Sequence, residues 1–285
     1  MRFFVLFFTF LISCALPLQA GAQETGFPQR IVSLGPLNTE NVYLLGAGDR
    51  LVGNTSYCVR PEAAKAKEKI GSVMQISIEK VLSLQPDLVL ATGLTQPQQL
   101  KKLQELGLRV VQVKQPTAFF EICTEFLRLG RLLGLEDRAK EVVRRARSEV
   151  AAVTSRVAGL PRQKVFLQVG AQPLFGSVTS SFTHDYIRLG GGTNVIADQT
   201  VGTVGYEKIL ARNPDVIIIA IMGSESGAAA REKKKWQRFS VISAVRNDRV
   251  YIINPDLVCS PSPETFARTL AVIAGLIHPE IGKNQ

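Results

Sequence analysis

The side chains able to carry chemistry in this chain of 285 residues are few, and their spacing excludes more than it permits. Only two histidines occur, His184 and His278, too few for a three-histidine zinc centre. Cys58, Cys123 and Cys259 stand far apart and match no zinc-ligand spacing. Cys123 lies in an apolar helical pattern and reads as a buried small residue, while Cys58 and Cys259 fall in loops. There is no Gly-x-Ser-x-Gly elbow and no phosphate loop. Gly190-Gly191-Gly192 follows a helical segment and reads as its cap. His184, beside Asp185 near a helix start, reads as structural. These residues predict a protein that is not an enzyme, holds no cofactor and builds no metal site. An exported α/β enzyme working with carboxylates alone is the competing reading, and a surface-adhesion protein using a basic helix is a third.

Two carboxylates do have informative spacing. Glu79 and Glu207 stand at equivalent places in near-copies of one stretch, Ile78–Ala91 and Tyr206–Ile219, in which Glu, Lys, Leu, Pro and Asp recur. Each copy predicts a helix stopped by proline, then a buried parallel strand. Proline cannot continue a helix and pushes the residue before it toward extended backbone. The apolar, branched run that follows suits a strand covered on both faces. A second echo pairs Thr39-Glu40 and Leu45-Gly46 with Thr183-His184 and Leu189-Gly190. The duplication predicts an α/β protein of two lobes with parallel sheets. Each glutamate falls in the first turn of its helix, where the helix dipole favours a carboxylate.

Composition agrees. A hydrophobic share of 46% with 20% charged residues is globular, and the length suits two cores better than one. Met1-Arg2, the apolar run Phe3–Ile12 and Ala20-Gly21-Ala22 read as a secretory signal peptide over residues 1–22. Leu11-Ile12-Ser13-Cys14 offers lipidation at Cys14 as the alternative. Much of the net charge of +10 lies in the run Arg231–Arg238, read as a solvated helix face and not as a nucleic-acid site.

The elements that must position these residues follow in order. Arg30–Leu34, Leu51–Gly53, Leu88–Ala91 and Arg109–Val113 read as strands alternating with helices, a βαβ rhythm. Asn38 or Thr39 is expected to cap the first helix and Ser77 the helix of Glu79. Residues 54–72 and 254–262 read as loops. Glu136–Ala158 reads as one long helix, about 35 Å at 1.5 Å per residue. The expected division is an N-terminal lobe over 23–135, a rigid connecting helix over 136–160 and a C-terminal lobe over 161–285. Parallel sheets carry ligand-contacting loops at the carboxyl ends of their strands. Those loops hold Tyr57, Cys58, Arg60 and Thr92 in the first lobe, and Phe175, Ser177, Val201 and Asp256 in the second. Facing one another, they predict a small-molecule cleft between the lobes.

In the order and spacing of Arg30–Leu34, Asn38-Thr39-Glu40, Ile70-Gly71-Ser72, Pro86-Asp87, Ser181–Asp185, Asn194, Pro214-Asp215 and His278-Pro279-Glu280, the chain resembles a known family. This is the periplasmic substrate-binding proteins of ABC importers for cobalamin, iron–siderophores and haem, whose two lobes are joined by a long helix. The resemblance implies a monomeric periplasmic protein that captures a metal chelate, an iron–siderophore or a cobalamin-like corrinoid. It implies delivery to membrane permease subunits, with Glu79 and Glu207 meeting permease arginines. It matches Tyr57, Phe175 and Asp256 to ligand-contacting positions of the cobalamin receptor. Val73, Thr92 and Val201 stand where that receptor has tryptophans.

Overall fold

A computed structural model describes residues 26–221 and 227–282. The signal peptide read over residues 1–22 and the lipidation alternative at Cys14 lie outside the described residues. The first half runs β1 (Ile31–Ser33), α1 (Pro36–Leu44), β2 (Leu51–Asn54), β3 (Glu68–Lys69), α2 (Ile78–Ser83), β4 (Leu88–Ala91), α3 (Pro97–Glu105) and β5 (Val110–Gln112). All five strands are parallel, in the order β3-β2-β1-β4-β5. Residues 54–72, expected to be a loop, supply the edge strand β3 and a 3₁₀ turn at Glu62–Ala66. A strand of two residues leaves too short an alternation to be seen in sequence.

Helices α4 (Phe119–Leu133) and α5 (Glu136–Val157) follow, separated by Gly134 at φ +71, a left-handed conformation that glycine adopts without penalty. The second half runs β6 (Gln163–Ala171), β7 (Leu174–Gly176), α6 (Thr183–Leu189), β8 (Gly192–Asn194), α7 (Tyr206–Arg212), β9 (Val216–Ile219), α8 (Ala228–Trp236), α9 (Ser243–Arg246), β10 (Val250–Ile252), α10 (Pro255–Cys259) and α11 (Pro263–Ile277). Its sheet has the order β10-β9-β6-β7, with β8 beside the start of β6. Here the expectation of parallel strands needs correction: β7 turns back antiparallel on the end of β6. Residues 254–262 likewise contain α10, whose turn is capped by the Asn254 side chain.

Both sheets obey the period of two that burial on two faces demands. Ile31, Leu88 and Leu90 face one core, while Val32, Val89 and Ala91 face another. In the second sheet Val165, Leu167, Val216 and Ile218 share the core of Ile31, and Phe166, Ile217 and Ile219 face outward into a third. The apolar stripe of α5 (Ala139, Val142, Val143, Ala146, Val150, Val153 and Val157) lies in the shared core. The long helix packs against α4 on one side and α11 on the other. One continuous core thus joins strands of both sheets through α5.

The duplicated units also match in detail. Asp87 accepts the backbone N–H groups of Gln29 and Arg30 at 2.7 and 3.0 Å, and Asp215 accepts that of Lys164 at 2.8 Å. The aspartate after each proline therefore holds the backbone at or just before the start of the neighbouring strand. Thr39 donates to Ser33 at 2.9 Å, and Thr183 lies 2.7 Å from Ser177 in the same arrangement. Asn38 and Thr39 are not caps; α1 starts from Gly35 without a side-chain cap. Asn38 instead donates to the carbonyls of Leu90 and Ala91, tying α1 to the end of β4.

Candidate functional site

A cleft of about 280 Å³ opens where the carboxyl ends of β1, β4 and β5 meet the segment after α10. The first half contributes Leu37, Asn38, Tyr57, Val73, Met74, Thr92, Leu94 and Lys114–Pro116; the second contributes Phe182 and Cys259–Pro261. The positions follow from topology, since parallel strands deliver their exit loops to one edge. Lys114 is the only ionisable lysine, arginine or carboxylate in this lining. The surface is otherwise apolar with a few hydroxyl and amide groups, suited to a weakly charged small molecule.

Tyr57 and Thr92 lie in this lining as the sequence suggests. Tyr57 is 57% exposed, so its ring is available to pack on a ligand. Thr92 is tied to Thr95, whose hydroxyl accepts the Thr92 N–H at 3.3 Å. Val73 also lines the cleft. The remaining expected residues are placed elsewhere. Cys58 is fully buried, its sulfur 3.2 Å from the Thr55 hydroxyl. Ser177 is buried against Thr183, the counterpart of Ser33 against Thr39, and this explains its position without a ligand. Arg60 spans the lobes: it pairs with Glu40 at 2.8 Å and donates to the Ser260 carbonyl at 3.0 Å. Phe175 and Val201 are exposed but outside the cavity lining. The Phe175 ring covers Gly202, where a Cβ would meet it at 2.3 Å. Asp256 sits in α10, where its N–H is taken by Asn254 at 2.9 Å.

Sequence reasoning did not single out Met74, Leu94, Gln115, Phe182 or Ser260 for the cleft. Lys114–Pro116 follow β5 directly, so the strand-end rule could have found them. Phe182 and Ser260 are brought in by the second half folding against the first, which no local signal records. Cys259 lines the cleft as a neutral thiol, since burial, then the neighbouring Asp256, push its pKa up to about 12. Burial likewise lowers the pKa of His184, whose Nδ1 lies 3.2 Å from the Asn194 amide nitrogen. Among the described residues no group of three or more His, Cys, Asp and Glu could hold a metal ion.

Glu79 and Glu207 lie away from the cleft, exposed in the first turns of α2 and α7. Neither forms an ion pair among the described residues. The N–H of Glu79 itself, then the Ser77 hydroxyl at 3.0 Å, hold the Glu79 carboxyl below its ordinary pKa. Next to Glu207, Tyr206 donates to the buried carboxylate of Glu232 at 2.6 Å. Glu232 also accepts from Gln168 at 2.9 Å and Lys235 at 2.5 Å, and Gln168 accepts from Trp236 at 2.8 Å.

Two α/β lobes sharing one core through a long helix, with a cleft at their strand ends, define a two-lobed binding protein. Residues 31–257 match the family model described as periplasmic binding protein, and the chain belongs to that family. It is 32% identical over 265 residues to an uncharacterized ABC transporter substrate-binding lipoprotein of Bacillus subtilis, covering 90% of this chain and 82% of the relative. It is 33% identical over 213 residues to a vitamin B12-binding protein of Yersinia pseudotuberculosis, covering 74% of each. A solved structure of a possible iron-binding, periplasmic solute-binding protein from Staphylococcus epidermidis superposes with a TM-score of 0.76 at 29% identity, covering 88% of this chain and 99% of the other.

Proposed function

We propose that this chain is the substrate-binding component of an ABC importer, working in the periplasm and carrying a metal chelate, an iron–siderophore or a corrinoid. The observation that carries the reading is the cleft itself: an apolar cavity with an exposed Tyr57 on one wall and a neutral Cys259 on the other. A chelate brings its own metal ligands, so the protein needs aromatic and apolar surface more than coordinating side chains. Relatives named for vitamin B12 and for possible iron binding support that class. Tyr57 and Thr92 contact the ligand from the first lobe in this reading. Phe175 and Val201, exposed apolar groups of the second half, meet the parts of the ligand that project beyond the cavity.

Glu79 and Glu207 then serve docking to the permease. Exposed carboxylates without local ion partners can pair with arginines on a partner, fixing register and speeding encounter. The reading is tested on protein purified gently from its native host, by mass spectrometry and absorption. A co-purifying iron chelate or corrinoid, released intact on denaturation, is the expected result. Turnover of a bound small molecule, or tight binding of a metal-free solute in place of any chelate, would overturn it.

A further inference from the structure

A second cavity, more than twice the volume of the cleft, opens elsewhere in the fold. It lies between α1 and α11, holds about 630 Å³, and is lined by residues of both halves. Its apolar lining comes from Tyr43, Leu44, Ile253, Leu257 and Val272. Several of its polar side chains are already engaged, while the buried Tyr43 hydroxyl and Arg60 Nη1 have no hydrogen-bond partner among the described residues. Glu40 receives Arg60 on one oxygen and the Thr265 hydroxyl on the other. Ser262 accepts the N–H of Thr265, and Thr269 donates to the Leu257 carbonyl.

Two opposite charges remain. Glu264 and Arg268 both line the cavity, and neither has an ion pair or side-chain hydrogen bond among the described residues. They sit four residues apart on α11, one turn or about 6 Å along the axis. A direct Glu–Arg contact at that spacing on a helix surface is weak and yields readily to a ligand. One free carboxylate and one free guanidinium above apolar surface call for an ammonium, a carboxylate and an apolar body in the same molecule. Glu264 is half-buried and Arg268 exposed, and a lone cation or anion would engage only one of the two charges. The volume falls within the range of small-molecule sites and exceeds that of a single amino acid.

We propose that the α1–α11 cavity is a second binding site, distinct from the cleft, for an apolar zwitterion of the short-peptide class. Glu264 takes its ammonium and Arg268 its carboxylate. The probe is the dipeptide Leu-Phe, titrated calorimetrically into the purified full-length protein, with N-acetyl-Leu-Phe and Leu-Phe amide as analogues that each lack one charge. Saturable binding of Leu-Phe is expected, with each blocked analogue weaker by about tenfold. Arg268→Glu and Val272→Trp, the latter at a side chain 52% exposed, should each cause a loss of similar size while melting temperature holds. Hydrogen-exchange protection by the dipeptide should fall on residues 40–44 and 264–272. No saturation at millimolar dipeptide, equal binding of the blocked analogues, or protection centred on the cleft loops at 92–95 and 113–116 would each overturn the proposal.

Discussion

Glu79 and Glu207 occupy the same place in two copies of one helix–strand unit, yet different forces hold the two helices. Helix α2 is fixed locally: Ser77 caps it, accepting the Lys80 N–H at 3.2 Å and donating to Glu79 itself. Helix α7 begins at Gly205 with no side-chain cap. Its start is fixed from a distance, by Tyr206 on the Glu232 carboxylate 26 residues later. Burial alone would raise the pKa of Glu232, but its bonds from Lys235, Tyr206 and Gln168 outweigh burial and hold it low. A duplicated unit can therefore keep a surface carboxylate while its support moves from a local cap to a buried network. A cap can be replaced at modest cost, whereas a buried carboxylate with three donors cannot be removed without taking the acceptor from all three.

The comparison can be broken at four points. Reversing both surface carboxylates, Glu79→Arg with Glu207→Arg, is expected to abolish uptake through the cognate importer while ligand affinity stays intact. Surviving uptake, or lost affinity, would remove both residues from docking. Glu232→Ala is expected to cost about 2–3 kcal/mol of stability by leaving Tyr206, Gln168 and Lys235 without their acceptor. Chemical denaturation measures it, and a loss no larger than that of Ser77→Ala would show the network to be no stronger than a cap. Tyr57→Ala is expected to weaken ligand binding about tenfold, or about 1.4 kcal/mol, without a change in melting temperature. Unchanged affinity would take Tyr57 out of the ligand site. Ser77→Ala should cost the least, about 1 kcal/mol, the usual worth of a helix N-cap. Hydrogen exchange confined to α2 would confirm the local character of that support; faster exchange across the first sheet would contradict it.

Much of the fold was legible because the signals are local. The proline stops, the branched runs of β4 and β9 and the apolar stripe of α5 each lie within one short window. Elements without such a window were missed. Strand β3 has two residues, β7 pairs antiparallel within three, and α10 is a single capped turn. The site was legible only in part. Tyr57 and Thr92 follow from the rule that ligand loops sit at strand ends, but so do Cys58 and Ser177, whose side chains turn inward. A position on a loop does not fix which way its side chain points. Ser177 shows this well: only its bond to Thr183, the echo of Ser33 with Thr39, accounts for its burial.

The sequence by itself determined the two α/β units, the long helix between them and the paired glutamates at equivalent helix starts. These depend on periodicity and on proline and serine chemistry acting over a few residues. The tertiary structure decided that Arg60 bridges Glu40 to Ser260 across the lobes, that Phe182 and Cys259 close the cleft, and that Glu232 anchors α7. Each of these contacts joins residues far apart in the chain. Its free energy depends on burial and exact placement, and a linear pattern encodes neither until the shared core around α5 has brought the two sheets together.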